Sequence, residues 1–122
     1  MLIKGLYTIQ HFRFEDQSVK ATLQLNKDHR VFEGHFPGNP VMPGVCMIQI
    51  IKELTEKALE KKLFLSVASN VKFMAIINPE KNGIIQLVLD ITEEDAIVKV
   101  KNTTSFEDTV ALKLNATFKT LS

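Results

Sequence analysis

The residues best suited to chemistry lie in one short segment and just after it. His35 stands in the segment GHFPGNPVMPGV, residues 34–45, among three glycines and three prolines. An imidazole titrates near neutral pH, so it can take up and release a proton during a reaction. Gln49 and Glu53 follow four residues apart, a spacing that places both side chains on one face of a helix. The pattern indicates a functional histidine in an ordered loop, directly before a helix that carries two polar groups.

These polar residues also have purely structural interpretations. Glu53 precedes Lys57 by four residues, so the two side chains could form a solvated ion pair worth a few tenths of a kcal/mol. Gln49 could be a polar interruption of an apolar helix, with its amide bonded to the backbone. His11 and His29 lack the glycine and proline frame, and we predict that they are surface or packing residues.

Two other kinds of site are disfavoured by the residues present. His35 and Glu53 would supply only two of the three or four protein ligands that a metal centre usually needs, so we predict no metal. Cys46 is the only cysteine, which excludes an intramolecular disulfide and predicts a small core residue.

Length and composition predict one ordinary globular domain over residues 1–122. Hydrophobic residues make up 45% and charged residues 24% of the chain, and the formal net charge is +1. This balance gives no reason to expect nucleic acid as a partner. The N-terminus lacks an uninterrupted apolar core and no apolar stretch approaches the length of a bilayer span, so we predict a cytoplasmic protein without membrane contact.

The hydrophobic pattern predicts the elements that position these residues. Apolar residues recur at helical spacing from Pro43 to about Lys61, and Pro43 fits the first turn. Residues alternate with the period of a half-buried strand at 18–26, 83–92, 96–104 and 110–120, which predicts four strands. A fifth is predicted at 64–77, a segment rich in residues suited to a strand that is buried on at least one face.

The predicted fold class is α+β, with one long helix packed against an antiparallel sheet of about five or six strands. A single helix covers only part of such a sheet. An exposed strand edge also invites pairing with a second copy, so we expect a dimer.

The segment VFEGHFPGNPVMPGV, residues 31–45, resembles the signature of the hotdog-fold 3-hydroxyacyl-(acyl-carrier-protein) dehydratases of type II fatty acid synthesis. The later segment NVKFMAIINP, residues 70–79, is similar to that family's strand after the helix. The resemblance implies a helix wrapped by a curved sheet, a continuous sheet across two subunits, and acyl tunnels at the dimer interface. It also implies removal of water from a 3-hydroxyacyl thioester to give a trans-2-enoyl thioester, without a metal or organic cofactor.

The resemblance assigns roles to individual positions. His35 occupies the position of the family's catalytic histidine, which acts as the base. Gly44 occupies the position whose backbone N–H donates to the thioester oxygen. Gln49 occupies the acid position, where the family has Glu or Asp, and Glu53 stands where the family commonly has Gln. The two residue types look exchanged.

Three interpretations of this exchange stay open. In the first, Glu53 replaces the acid, directly or through a water molecule. In the second, His35 performs both proton transfers while Gln49, which cannot donate a proton as an acid, orients the hydroxyl. Alternatively, the chain is a non-catalytic subunit that binds acyl carrier protein or acyl thioesters, in a heterodimer with an active homologue. A hotdog acyl thioesterase is a further, weaker alternative, because Gln49 is a poor base for activating water.

The resemblance also suggests contacts with substrate and partner. The expected partners are an acyl carrier protein with its phosphopantetheine-linked substrate and a second copy of the chain, in a homodimer or an assembly of dimers. We predict carrier-protein contacts at Arg30 and Lys72. The candidates for lining the substrate tunnel are Phe36, Met42, Val45, Met47 and Phe73.

Overall fold

The computed structural model describes residues 4–33 and 40–120 of the chain. These residues form one α-helix packed against a six-stranded antiparallel sheet, which confirms the predicted α+β hotdog architecture. Within the described part of the chain, no helix has the length and apolar character needed to cross a bilayer. The elements are β1 (Tyr7–Glu15), β2 (Ser18–Leu25), a 3₁₀ helix (Arg30–Phe32), α1 (Gly44–Leu59), β3 (Leu63–Phe73), β4 (Ile84–Glu94), β5 (Ile97–Phe106) and β6 (Thr109–Thr120).

The strands lie in the order β1-β2-β4-β5-β6-β3, and every neighbouring pair is antiparallel. The two edges of the sheet are therefore β1 and β3. Strand β3 follows the helix in sequence but pairs with the last strand, β6. Gly44 at the start of α1 lies against Phe73 at the end of β3, so the helix begins beside this edge strand.

Alternation along the strands separates the core face from the solvent face. In β2, Val19, Ala21, Leu23 and Leu25 are buried, as the period of two predicts. Strands β4, β5 and β6 repeat the pattern, and their buried side chains join those of β2 in one core. The helix lies on this face and packs against β2, β3 and β4.

Helix α1 begins one residue later than the sequence predicts. Pro43 is its N-cap, in extended conformation, and its carbonyl accepts hydrogen bonds from the N–H groups of Cys46 and Met47. The helix ends at Leu59 because Glu60 adopts a left-handed conformation, with φ of 53°. The buried residues of the helix are Cys46, Met47, Ile50, Ile51, Leu54 and Thr55.

Strand β3 is shorter than the predicted 64–77 and is irregular. Its pairing with β6 shifts register between Ser69 and Lys72, where Asn70 has a positive φ of 52°. The strand ends at Phe73 because the next two N–H groups, of Met74 and Ala75, both donate to the carbonyl of Ala111. Because two successive N–H groups share one carbonyl, the regular alternation of hydrogen bonds between β3 and β6 stops here.

Candidate functional site

A groove of about 360 Å³ runs along the first half of α1. The helix forms one side, Leu65 of β3 contributes the other, and Val31 of the 3₁₀ helix contributes one end. Gln49 is the uncharged polar side chain in this groove and Lys52 the charged one. The lining residues are Val31, Val45, Cys46, Ile48, Gln49, Lys52 and Leu65.

The side chain of Gln49 is oriented by Glu53, one helical turn further along. Gln49 Nε2 donates a hydrogen bond of 3.0 Å to Glu53 Oε2. An ionised carboxylate can only accept, so the nitrogen of the amide, and not its oxygen, must face Glu53. This leaves the Gln49 carbonyl oxygen and the second amide hydrogen for the groove and its occupant.

The second carboxylate oxygen of Glu53 is also engaged. The hydroxyl of Tyr7, on β1, donates to Glu53 Oε1 across 2.7 Å. Burial, followed by the hydrogen bond to Glu53 and the negative charge of Glu53, raises the pKa of Tyr7 above its usual range. Tyr7 therefore remains a neutral donor at physiological pH. Glu53 is in contact with Gln49 but does not line the groove.

Sequence reasoning missed Tyr7. It lies 46 residues before Glu53, and no local spacing connects the two positions. The ion pair between Glu53 and Lys57 that the i,i+4 spacing suggests is not formed, and that interpretation is wrong. Among the described residues, the Lys57 ammonium instead lies over the ring of Phe12, 5.2 Å from its centroid.

Gly44 opens the helix and contacts Phe73 at the end of β3. A Cβ atom added at Gly44 would lie 2.9 Å from Cζ of the Phe73 ring, closer than such atoms approach. Position 44 therefore requires glycine while Phe73 keeps this place. The N–H of Gly44 precedes the first intrahelical hydrogen bonds, so it is among the groups that a helix leaves for a ligand. Gly44 lies five residues before Gln49, about 7.5 Å along the helix axis.

A second groove, of about 450 Å³, adjoins this contact. Gly44, Phe73 and Met42 line it, whereas Val45 lines the groove that holds Gln49. Met47 has no exposed surface and belongs to the core. The four tunnel candidates that the structure describes thus divide between the two grooves and the core.

His35 and Phe36 lie outside the residues that the structure describes. The catalytic role of His35 and the tunnel role of Phe36 therefore stay predictions. Of the described residues on either side, Glu33 directly follows the 3₁₀ helix and Pro40 lies four residues before α1.

The two predicted carrier-protein contacts lie in different places. Arg30 is exposed and directly precedes Val31, which lines the groove of Gln49. Lys72 pairs across the strands with exposed Lys113, so it lies on the sheet face that is turned away from α1. Of the two, Arg30 is the one beside the candidate site.

Two further residues have structural roles. His29 caps the 3₁₀ helix, because its Nδ1 accepts from the N–H of Val31 at 2.9 Å while its Nε2 lies 3.0 Å from the carbonyl oxygen of Lys4. Cys46 is buried, as predicted, and burial raises the pKa of its thiol. Within the described ranges, no group of three or more His, Cys, Asp or Glu side chains is arranged to hold a metal ion.

Comparison with known proteins identifies relatives over most of the chain. The family model described as ApeI dehydratase, ApeI-like, matches residues 10–113. A 3-hydroxyacyl-(acyl-carrier-protein) dehydratase FabZ from Lactobacillus helveticus is 32% identical over 110 residues, which cover 84% of this chain and 73% of that protein. The FabZ of a Caulobacter species is 34% identical over 105 residues, which cover 78% of this chain and 63% of that protein.

Solved structures share the fold. The dehydratase heterocomplex ApeI:P from Xenorhabdus doucetiae matches with a TM-score of 0.75 and 22% identity, over 93% of this chain and 97% of that one. A hypothetical thioesterase with coenzyme A from Streptococcus pneumoniae matches with a TM-score of 0.67 and 11% identity, over 95% and 86% of the two chains. The family match and the relatives confirm the resemblance of the histidine segment, and the chain belongs to the ApeI-like dehydratases of the hotdog fold.

Proposed function

We propose that this protein removes water from a 3-hydroxyacyl thioester, carried on an acyl carrier protein, to give a trans-2-enoyl thioester. The observation that carries the proposal is the oriented amide of Gln49 in a largely apolar groove beside the start of α1. An apolar channel with one directed polar group suits an acyl chain with a single hydroxyl. The relatives named as dehydratases support the reaction class.

In the proposed reaction, His35 takes the proton from C2 while the N–H of Gly44 donates to the thioester oxygen and stabilises the charge that develops there. The C3–O bond then breaks and the double bond forms between C2 and C3. His35 returns its proton to the departing hydroxyl, which leaves as water. Gln49 accepts a hydrogen bond from that hydroxyl through its carbonyl oxygen and so orients it for this proton transfer.

Glu53 as replacement acid is the alternative assignment within this reaction. Its oxygens already accept hydrogen bonds from Tyr7 and Gln49, and Glu53 does not line the groove, so it would have to leave this arrangement or act through an intervening water molecule. We therefore assign to Glu53 the orientation of Gln49. The two assignments predict different effects of removing the Glu53 carboxyl group. Loss of a positioned general acid lowers rates by about 10²- to 10⁴-fold, whereas loss of a group that only orients Gln49 should lower them less.

A non-catalytic acyl-thioester binding subunit is the second candidate function. Its support is that no carboxyl group lines the groove among the residues that the structure describes. The relative from Xenorhabdus doucetiae was solved as a heterocomplex, which makes pairing with an active homologue a reasonable form of this candidate. It predicts carrier-protein binding that weakens with salt, without turnover.

We also propose that the functional unit contains two such chains joined at the β3 edge. Apolar side chains are exposed along this edge and beside it, and an unpaired strand edge is a template for another strand. The exposed apolar residues in this region are Val45, Phe64, Leu65, Val67, Val71, Phe73, Met74 and Ile76.

A turnover assay separates these functions. A short 3-hydroxyacyl thioester on a carrier protein is incubated with the protein, and enoyl product and free thiol are measured together. Enoyl product that requires His35 supports the dehydratase, and free thiol indicates a thioesterase instead. Binding without either product supports the subunit of a heterocomplex.

A further inference from the structure

We infer that Tyr7 is a positioning residue of this site, which acts through Glu53 to make Gln49 present its carbonyl oxygen to the groove. The site would then select ligands that carry a hydroxyl donor at this point. The inference rests on the proposed function only for the identity of the ligand, an acyl thioester. Tyr7 lies before residues 10–113, so the family match does not include it.

The contacts form one chain of hydrogen bonds across two elements. Tyr7 on β1 donates to one oxygen of Glu53, and Gln49 on α1 donates to the other. All three side chains are partly buried, where such bonds are less weakened by solvent than at the surface. Each donor satisfies one oxygen, which fixes the carboxylate plane and with it the amide of Gln49.

The direction of these bonds follows from the carboxylate, which only accepts hydrogen bonds. The Tyr7 hydroxyl donates to Oε1 and the Gln49 amide nitrogen donates to Oε2. Because Tyr7 holds Oε1, Oε2 is directed at Gln49 and binds its NH₂ group. Tyr7 thereby favours the arrangement in which an acceptor, the Gln49 carbonyl oxygen, faces the ligand.

A binding experiment tests this inference without relying on turnover. His35→Ala serves as the parent, so that the ligand is not converted, and the probes are 3-hydroxybutyryl-pantetheine and butyryl-pantetheine. One neutral hydrogen bond favours the hydroxylated probe by about fivefold in affinity. We expect Tyr7→Phe to reduce this ratio to less than about twofold and Gln49→Leu to abolish it, with no further loss when the two are combined.

Thr55→Val is the matched control. It removes a buried hydroxyl that bonds to the Ile51 carbonyl on the same helix, so it has a comparable structural cost but should leave the ratio unchanged.

Two results would overturn the inference: Tyr7→Phe retains the full ratio, or it lowers the ratio equally when Gln49 is already Leu. A parent that binds neither probe, or binds both equally, would overturn it as well. If the native protein shows no turnover while the ratio behaves as expected, only the proposed catalysis fails.

Discussion

The amide of Gln49 and the carboxylate of Glu53 are joined by a hydrogen bond of 3.0 Å, from Nε2 to Oε2. The exchange of residue types along the helix is therefore also a contact in space. The carboxylate lies one turn beyond Gln49, whose position the resemblance predicts to be that of the acid, and it binds the Gln49 amide. The polar group at the groove is thus oriented by a charge that does not itself line the groove.

The hydroxyl of Tyr7 should ionise only well above its usual pKa of about 10. Tyr7 is the only tyrosine and the chain has no tryptophan, so tyrosinate absorbance reports this group alone. Glu53→Gln removes the negative charge and the charged acceptor but leaves the burial, so it should lower the pKa of Tyr7 part of the way. The protein unfolded in denaturant is the control. Titration of the folded protein at the same pH as the unfolded one would contradict the Tyr7–Glu53 contact.

The same contact predicts how stability changes at high pH. Because folding raises the pKa of Tyr7, the unfolded chain loses this proton first as pH rises, and the folded state is penalised when Tyr7 must remain neutral. The stabilisation is complete below about pH 10 and is lost progressively above it. The free energy of unfolding of the native protein should therefore fall relative to that of Tyr7→Phe between about pH 10 and 12, as measured by urea denaturation. Parallel curves would count against the prediction.

Gly44→Ala should displace the ring of Phe73. The added methyl would lie 2.9 Å from the far end of that ring, which must turn or shift. Because the contacted atom is the far end of a side chain that is 56% exposed, we expect a loss of at most about 1 kcal/mol in stability. We expect a decrease of about 10-fold in kcat/KM, because the new methyl group and the displaced ring crowd the N–H of Gly44.

Phe73→Leu provides the test of cause. Combined with Gly44→Ala, the smaller side chain should recover most of the lost melting temperature, whereas two independent effects would simply add. If the double variant is no more stable than the sum of the single variants predicts, the contact is not the reason for glycine at position 44.

Leu65→Lys should separate the proposed dimer. Leu65 lies on the free edge strand and is 40% exposed, so a charge there opposes pairing of this edge with another chain. The matched control is Ile9→Lys, at 39% exposure on β1, the opposite edge of the sheet. Light scattering should give half the native mass for Leu65→Lys and the native mass for Ile9→Lys. Equal masses for all three proteins would argue against an interface at β3.

Most of the fold followed from local patterns because these patterns record burial directly, but strand β1 (Tyr7–Glu15) was not among the predicted strands. The spacing of Ile50, Leu54 and their neighbours predicts α1, and alternation in β2 predicts its buried face. Irregular positions were harder to predict from the sequence. Strand β3 ends at Phe73 because two N–H groups share the Ala111 carbonyl, and no residue type in this segment indicates that arrangement.

The site was only partly predictable for a similar reason. The spacing places Gln49 and Glu53 on one helix face, but the same spacing also suggests an ion pair with Lys57 that is not formed. Glu53 instead accepts a hydrogen bond from Tyr7, which lies on a strand 46 residues earlier in the chain. Such a contact depends on how β1 lies against α1, which is a property of the tertiary structure and not of any local pattern.

The central claim is that His35 performs the proton transfers while Gln49, held by Glu53, orients the substrate hydroxyl. The most direct measurement is the rate of hydration and dehydration of a short 3-hydroxyacyl/enoyl thioester on a carrier protein, for the native protein, His35→Ala, Gln49→Glu and Glu53→Gln. The account predicts turnover by the native protein, its loss in His35→Ala, and a decrease of only about fivefold in Glu53→Gln, because a neutral acceptor replaces a charged one. A native protein that is inactive until Gln49→Glu is introduced would contradict it, as would a loss in Glu53→Gln as complete as that in His35→Ala.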